Sequence, residues 1–573
     1  MTARKISPAS GLRRFHVALL CFAAYGVLVS ADVASAAPVI PGAAQPGRDR
    51  PLPEPPKAPE DYNFSIEAPH RSSVPRAVDE IHFELKDVKI VGSVTIPADR
   101  FRPLYADLIG KDVTLTNIYD VADGIERIYR EAGYPLVRAY VPPQRVKDGI
   151  FTIKVVEGFV STVSVEGVDG KTQDRIRSYL GDVSLERPLR LSSIERGLLL
   201  SNDLPGVSAT GILRPAPDTP GASDLVISAA QPKFTGGLAA DNRGSRFSGI
   251  WTITGDAEIN SVFFGGDQIM GDVTLSPNSL EQIGGDLRYR TPIGSDGMMG
   301  SLIGRYTHGE PGSTLSAANV LTNSYAIGPR LSYPFIRSRA ETLTLDGGFT
   351  VQDARVNVLG FGISHDKWRV FDADINYLKN DLGGGTFGAT LDLAQGLDIF
   401  GATPDGSLDL SRKGATTSFT KLAGAARYTR PIVDNFSFAL AVQGQFAFDR
   451  MITGEQIAFG GAQIGRGYDP GAITGDHGLG GSAELRYTTR ISDSFVQTIQ
   501  PFVFFDAAGT WYLDKTVGGL PDQVIESTGV GIRGWFSENI TVGVEVDRTL
   551  RAVPGSDAGR KATKVLVDLA IRF

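Results

Sequence analysis

From Phe234 onward the chain alternates apolar and polar residues with the period of a β-strand. Segments of roughly ten residues follow one another, each apolar on one face and each ended by turn residues. The last segment, residues 565–573, is the clearest, with Val, Val, Leu, Ile and Phe at every second position. The same alternation runs through residues 251–259, 343–351 and 387–393. This pattern, uninterrupted by a long amphipathic helix, predicts an antiparallel sheet with one apolar face.

Such a sheet suits a transmembrane antiparallel β-barrel spanning residues 232–573. Closure satisfies every backbone N–H and C=O group in lipid, while polar residues line a water-filled lumen. At roughly 20 residues for a strand and its connection, and with the even strand number of single-chain bacterial barrels, we predict sixteen strands. A soluble β-sandwich or propeller, which also has short alternating strands, is the alternative.

The segment before the barrel has a different pattern, in which strand and helix periods follow each other. Apolar residues at spacings of three and four predict a helix from Thr116 to Ala132, ended by Gly133. With the strands on either side, residues 80–158 give the order βααββ, and the order recurs over residues 159–231. Two small α+β modules are therefore predicted.

The amino terminus predicts an export signal followed by a linker. Residues 1–36 have basic residues, then an apolar run, then Ala34-Ser35-Ala36, the order of a cleaved secretory signal. The apolar run is shorter than the roughly 20 residues that span a bilayer, which disfavours a membrane anchor. Residues 37–79 are crowded with proline, which predicts an extended periplasmic linker rather than a stable helix.

Composition and motifs exclude several classes of function. The chain has 67 glycines and one cysteine, which fits a strand-and-turn protein without disulfides. Its net charge of −7 provides no basic field, so nucleic acid is not expected as a partner. The six histidines show no metal-ligand spacing, and the run at 383–388 precedes a strand rather than a phosphate-binding helix. We therefore predict no enzyme, no cofactor and no metal.

Short motifs in the modules are those of a known family. They are Gly133-Tyr134-Pro135, Pro142-Pro143-Gln144, Val156-Glu157-Gly158 and Asn202-Asp203-Leu204-Pro205-Gly206. These segments resemble the paired POTRA domains of two-partner secretion transporters, the TpsB family of ShlB/FhaC/HecB type within the BamA-like superfamily. The resemblance implies periplasmic modules in front of a barrel in the bacterial outer membrane.

The barrel segment carries further motifs of the same kind. Asp241-Asn242-Arg243-Gly244 stands near its start. The segment around 455–480, with Gly465-Arg466-Gly467-Tyr468 at its centre, resembles the long sixth loop of the family, which folds back into the lumen. Gly465 stands where the family usually has Val. The planar fork of Arg466 needs a carboxylate, and we predict Asp506 as its partner. Asp506 lies in a segment similar to the family's strand motif Phe-x-Asp-x-Gly: Phe504 and Asp506 match, Ala508 stands at the glycine position, and Gly509 follows one residue later.

The resemblance implies a translocator that exports an unfolded partner exoprotein of haemolysin or adhesin type. The modules are expected to bind the partner's N-terminal secretion domain by adding its strand to a sheet edge. We place that edge on the second module at Val207, Ala209, Gly211 and Leu213. Other expected partners are outer-membrane lipid and, during biogenesis, periplasmic chaperones and the barrel-assembly machinery.

Two alternatives stay open at this point. A BamA-like barrel-assembly insertase would share the loop and the modules, but such chains typically have three to five modules. A passive diffusion porin would need neither the modules nor the loop motif. The number of modules therefore separates these classes.

Overall fold

The computed structural model shows two small modules followed by a barrel. No helix among the described residues has both the length and the apolar character needed to cross a bilayer. The predicted signal, residues 1–36, lies outside the described part of the chain. The described residues are 42–46, 64–66, 82–146, 148–216, 219–277, 281–491, 495–514, 521–537, 539–553 and 562–573.

Module 1 is a small α+β unit built on one long helix. Strand β1 (Phe64–Ile66) precedes it and belongs to the next module. The elements of module 1 are β2 (His82–Glu84), β3 (Asp87–Val91), the 3₁₀ turns Ala98–Leu104 and Ala106–Leu108, β4 (Asp112–Thr114), α1 (Leu115–Glu131), β5 (Arg138–Tyr140) and β6 (Ile150–Val156). Strand β6 pairs with β3 in parallel and with β5 antiparallel. The predicted helix is confirmed, and it buries Ile118, Ile125 and Tyr129.

Module 2 has the predicted order βααββ, whereas in module 1 two 3₁₀ turns stand where the first helix is predicted. Its elements are β7 (Phe159–Glu166), α2 (Gly170–Tyr179), the 3₁₀ turn Gly181–Ser184, α3 (Leu191–Asn202), β8 (Ser208–Pro215) and β9 (Ala222–Ala230). The sheet order is β1-β8-β9-β7, with β7 parallel to β9 and β8 antiparallel to it. Apolar residues of α2 and α3, among them Ile176, Ile194 and Leu198, pack on the sheet.

Sixteen strands close into the antiparallel barrel, which confirms the predicted fold class. The two-residue β24 continues β23, and both pair with β25. The strands are β10 (Phe234–Asp241), β11 (Thr252–Asn260), β12 (Gln268–Leu275), β13 (Gln282–Ile293), β14 (Met298–Gly309), β15 (Leu321–Arg337), β16 (Glu341–Val358), β17 (Phe361–Leu382), β18 (Gly385–Gly396), β19 (Thr420–Val433), β20 (Phe436–Ala447), the separate short pair β21 (Ile457–Phe459) and β22 (Ile473–Gly475), then β23 (His477–Tyr487), β24 (Thr489–Arg490), β25 (Val496–Trp511), β26 (Gln523–Phe536), β27 (Ile540–Thr549) and β28 (Thr563–Arg572).

Module 2 is joined to the barrel by a charged contact at one end of the lumen. Arg337, at the end of β15, donates through Nε and Nη2 to the two carboxylate oxygens of Asp203, at 2.8 and 2.7 Å. The backbone N–H of Arg339 donates to Glu195 of α3 at 2.6 Å. A bidentate arginine contact fixes orientation as well as distance, so module 2 is held at this mouth of the barrel.

The proline-rich stretch 37–79 is more than the periplasmic linker we predicted. Strand β1 pairs in parallel with β8, and the Phe64 ring packs against the core of module 2. Residues 42–46 lie beside the inner barrel wall, with a 3₁₀ turn at Gly42–Ala44. The sequence did not predict either position, because three residues are too few to show a strand period. The rest of the stretch lies outside the described residues.

A half-buried carboxylate, Glu157, fastens one turn of module 1 to its helix. It accepts hydrogen bonds from the backbone N–H groups of Val94 and Thr95 at 2.9 and 2.7 Å, and from the Tyr129 hydroxyl at 2.6 Å. Burial alone would raise the pKa of Glu157, but these hydrogen bonds outweigh it and hold the pKa below its usual value. Burial, reinforced by Glu157, raises the pKa of Tyr129 to about 12.

We predict that Glu157→Gln loosens the turn at residues 92–98. Losing a charged acceptor costs about 1.5–3 kcal/mol, so the amides there should exchange with deuterium at least about tenfold faster. The exposed Glu131→Gln serves as the control. Since folding lowers the pKa of Glu157, its stabilisation is full above the ordinary glutamate pKa and is lost as the pH falls through the folded-state pKa. The difference between wild type and Glu157→Gln should therefore shrink in acid, and a constant difference would contradict the assignment.

Candidate functional site

The loop between β20 and β23, residues 448–476, folds back into the barrel. It is the sixth connection at the end of the barrel opposite the modules, counted along the strand order. Strands β21 and β22 form a hairpin within it. Five loop residues form a buried cluster with wall residues Ala508 and Ile525; they are Ile457, Phe459, Ile464, Tyr468 and Ile473. The loop is therefore packed against the wall along much of its length.

Arg466, at the loop tip, makes a buried ion-pair network with the barrel wall. Its Nε and Nη2 donate to the two carboxylate oxygens of Asp506, both at 3.1 Å. Its Nη1 donates to Glu484 of β23 at 2.6 Å. The side chains of Arg466, Asp506 and Glu484 are 6, 0 and 5% exposed. The guanidinium also stands over the Phe504 ring at 3.4 Å, which completes its enclosure.

Asp506 binds the backbone of the loop as well as its arginine. The N–H groups of Gly465 and Arg466 donate to its carboxylate at 3.1 and 3.0 Å. Glu484 in turn accepts from Arg533 at 2.8 Å and from Arg486 at 2.6 Å. The two acidic residues thus face three arginines, so each buried carboxylate has compensating charge and hydrogen bonds.

The residues on either side of Arg466 allow the tip to lie flush on the wall. Gly465 has φ +86°, and a Cβ there would meet Ile525 at 2.5 Å, so the usual Val of the family does not fit this chain. A Cβ on Gly467 would lie 3.1 Å from the Cβ of Ser527. The Tyr468 hydroxyl donates to the carbonyl oxygens of Arg551 at 2.8 Å and Glu526 at 2.9 Å.

The base of the loop has a second set of contacts that sequence analysis did not find. Glu455 forms an ion pair with Lys421 at 2.6 Å and accepts from the indole N–H of Trp368 at 2.8 Å. At the other end of the loop, Asp476 is fully buried and pairs with Arg412 at 2.5 Å. The partners lie far apart in sequence and on separate strands and loops, so only the closed barrel brings them together.

The predicted recognition edge of module 2 is occupied by the chain itself. Strand β8 pairs with β9 on one side and with β1 on the other, in the register Phe64 to Gly211 and Ile66 to Leu213. In this structure the edge predicted at Val207, Ala209, Gly211 and Leu213 is not open, because β1 pairs with part of it, and its role in binding the exoprotein stays a prediction. The side chains of Val207, Ala209 and Leu213 are buried in the core, so a partner strand could use only the backbone of this edge.

A cavity of about 480 Å³ separates the loop from the opposite wall of the lumen. It is lined by Gly460, Gly461 and Pro470 of the loop, by polar residues of the wall, and by residues 42–46. The amino-terminal segment and the loop thus share the lumen, and together they fill part of the route along the barrel.

These features define a class: an outer-membrane transporter barrel with POTRA modules in the periplasm and a loop folded into its lumen. Residues 221–534, more than half of the chain, match the family described as haemolysin secretion/activation protein ShlB/FhaC/HecB, and residues 83–158 match the POTRA domain of ShlB type. The chain belongs to this ShlB/FhaC/HecB family.

Known relatives are distant in sequence but similar along most of their length. The heme/hemopexin transporter protein HuxB of Haemophilus influenzae strain 86-028NP is 22% identical over 85% of this chain and 88% of its own. The outer membrane transporter CdiB of Escherichia coli strain 536 is 24% identical over 75% of this chain and 72% of its own.

Solved structures establish the fold. CdiB from Escherichia coli superposes with a TM-score of 0.68 at 18% identity, over 88% of this chain and 93% of that one. BamA from Haemophilus ducreyi lacking POTRA domains 1–3 gives 0.52 at 14% identity, over 86% of this chain and all of that one.

We predict that Arg466→Ala frees the loop tip. Removing the cation leaves the buried carboxylate of Asp506 without its arginine, which costs about 3–5 kcal/mol, while Glu484 keeps Arg486 and Arg533. Amide hydrogen exchange at residues 464–470 should accelerate about 100-fold or more, because each 1.4 kcal/mol is a factor of ten. Arg427→Ala, at an exposed arginine of β19, is the matched control. Tip exchange at the wild-type rate in Arg466→Ala would show that the pairs do not hold the loop.

Proposed function

We propose that this protein exports an unfolded exoprotein through its barrel, and that release of the loop around Arg466 opens the route. The observation that carries the proposal is the ion-pair network that holds the loop tip to the barrel wall. One guanidinium holds the loop tip between Asp506 and Glu484 in the structure, and the proposed second state is the tip detached from the wall. A passive diffusion porin has no use for such a device.

Recognition is proposed to take place at the edge of β8. An extended segment of the exoprotein's secretion domain would pair with the β8 backbone, which gives affinity without demanding a particular sequence. Strand β1 holds that position in the structure through only three residues. The partner would therefore displace β1, and the edge would be protected from other strands until then.

The proposed class of partner follows from the names of the relatives. HuxB is a heme/hemopexin transporter protein, CdiB an outer membrane transporter and the Proteus mirabilis relative HpmB a hemolysin transporter protein. A secreted exoprotein with an N-terminal secretion domain is accordingly the proposed cargo. We propose transport without catalysis, inside outer-membrane lipid, after assembly by periplasmic chaperones and the barrel-assembly machinery.

The barrel-assembly insertase is the second candidate, because the chain shares the BamA fold. The described residues hold two modules, whereas insertases typically carry three to five. The similarity to CdiB, with a TM-score of 0.68 against 0.52, points the same way. We therefore favour the dedicated exporter.

The test compares cells with the gene, without it, and with the Arg466→Ala version. We expect one large protein to disappear from the culture medium without the gene, while other outer-membrane barrels stay unchanged. We also expect Arg466→Ala to export less than the Arg427→Ala control. General depletion of outer-membrane barrels would favour the insertase, and altered solute uptake with no change in proteins would favour the porin.

We predict that tying β1 to β8 blocks export. Ser65 and Ile212 stand directly opposite each other, and strands about 4.8 Å apart allow a disulfide. Export by Ser65→Cys/Ile212→Cys, with Cys21→Ser to remove the one native cysteine, should fall about tenfold when oxidised and recover with reductant. The single-cysteine variants are controls. Undiminished export by the oxidised protein would show that β1 need not leave.

A further inference from the structure

The barrel has one seam, between β10 and β28, that no hairpin joins. Its ladder comprises five residue pairs, from Gly237 with Arg572 to Asp241 with Asp568. The adjoining pairs β10–β11 and β27–β28 comprise eight and nine. Beyond Asp241, the part of β28 toward Thr563 has no strand beside it at the seam. Backbone groups left unpaired at such an edge are costly at the membrane, so another group has to satisfy them.

Asn242 continues the seam with its side chain. Its backbone N–H donates to the Val567 carbonyl at 3.3 Å. Its side-chain oxygen accepts from the Val567 N–H at 2.7 Å, and its side-chain amide donates to the Val565 carbonyl at 3.0 Å. The amide thus stands in for a strand at two positions of β28 where the ladder has ended.

Arg243 crosses the same seam and compensates the negative charge of the carboxylates there. Asp241 and Asp568 are directly opposite across the seam, where two like charges destabilise a sheet. Arg243 Nη2 donates to Asp568 at 3.0 Å, and Nη1 to Glu545 of β27 at 2.6 Å. The Asp241 carboxylate also accepts from the Arg243 backbone N–H at 2.8 Å. One arginine therefore ties β10 to both β28 and β27.

Strands β27 and β28, fixed in this way, provide contacts for the loop tip, and we call this set of contacts its seat. Gly467 lies against Thr549 at the end of β27: a Cβ added to Gly467 would be 3.2 Å from the threonine methyl. Asp469 of the loop forms an ion pair with Lys564 of β28. The Tyr468 hydroxyl donates to the backbone carbonyl of Arg551, just beyond β27. A displacement of β28 or β27 would therefore remove contacts on the side of the tip opposite Asp506.

We propose that Asn242 and Arg243 form a seam clasp that positions β27 and β28 as the seat of the loop tip. When the seam is closed, the loop tip makes both its ion pairs with the wall and its contacts with β27 and β28. Closure of the barrel and docking of the loop are therefore coupled through the clasp. Asn242 and Arg243 are thus positioning residues, because they act on the loop tip through β27 and β28. The inference concerns the resting structure and does not depend on which protein is exported.

The test measures hydrogen exchange by mass spectrometry in the full-length protein. We compare wild type, Asn242→Ala and Asn242→Ala/Arg243→Gln. We expect exchange at residues 563–572 and at the tip, 464–470, to rise together, about tenfold in the double variant. Asn376→Ala is the matched control, because this lumen amide bonds Asp346 at 2.6 Å on the far wall. The single variant keeps the test decisive if the double variant does not fold.

A disulfide across the seam tests whether Asn242 and Arg243 act on the loop tip by holding the seam closed or by stabilising the protein in general. Gly236 and Phe573 exchange both backbone bonds at 2.9 Å, so Ala239 and Ala570, three pairs along, form a non-hydrogen-bonded pair. The Cα separation of such a pair is about 4.5 Å, within disulfide range. In a Cys21→Ser background, Ala239→Cys/Ala570→Cys should return tip exchange in the clasp variants to the wild-type rate. Tip exchange that stays normal when the seam loosens, or stays fast when the disulfide is formed, would overturn the proposal.

Discussion

A guanidinium enclosed by protein inside a water-filled barrel must have carboxylates, and this requirement organises the site. Arg466 is 6% exposed and its partner Asp506 is not exposed at all, so neither can exchange its partner for water in place. The loop, the two acidic wall residues and the Phe504 ring are consequently arranged around one cation. Because Arg466 contacts both acidic residues and the Phe504 ring, detaching the tip would break these contacts together.

Among the described residues, the protein covers the edge of β8 and the incomplete end of the barrel seam with its own residues. In module 2 the edge of β8 is covered by three residues of an otherwise proline-rich stretch. At the barrel seam the ladder is completed by the amide of Asn242 and bridged by Arg243. The first cover is a short backbone pairing that a longer strand can replace. At the seam, by contrast, Arg243 forms ion pairs with both β27 and β28, the two strands that support the docked loop.

Regular elements were predictable where a period repeats over many residues. Helix α1 follows from nearly five turns of apolar spacing, and β28 follows from its strict alternation. The loop tip and Asp506 were found from a resemblance between motifs, which identifies residues without giving their geometry. The partnership of Asp506 with the loop backbone at Gly465 appears only in the structure.

The residues that sequence analysis did not find are paired over long separations. Glu484 stands 18 positions from Arg466 and looks like any polar residue of an alternating strand. The contact of β1 with β8 joins segments that no local pattern connects. Such pairings depend on strand register and barrel closure, which a period of two or 3.6 residues does not specify. The presence of Gly465 in place of Val, in contrast, is explained by its positive φ and by the nearby Ile525, and both appear only in the structure.

The most direct test of the account is to tie the loop tip to the wall. A Cβ added to Gly467 would lie 3.1 Å from the Cβ of Ser527, which is close enough for a disulfide after a shift of a few tenths of an ångström. Export would be measured for Gly467→Cys/Ser527→Cys in a Cys21→Ser background, oxidised and reduced, beside the single variants. The account predicts that the oxidised protein does not export and that reductant restores export. Equal export in both states would show that the loop does not have to leave the wall, and would contradict the central claim.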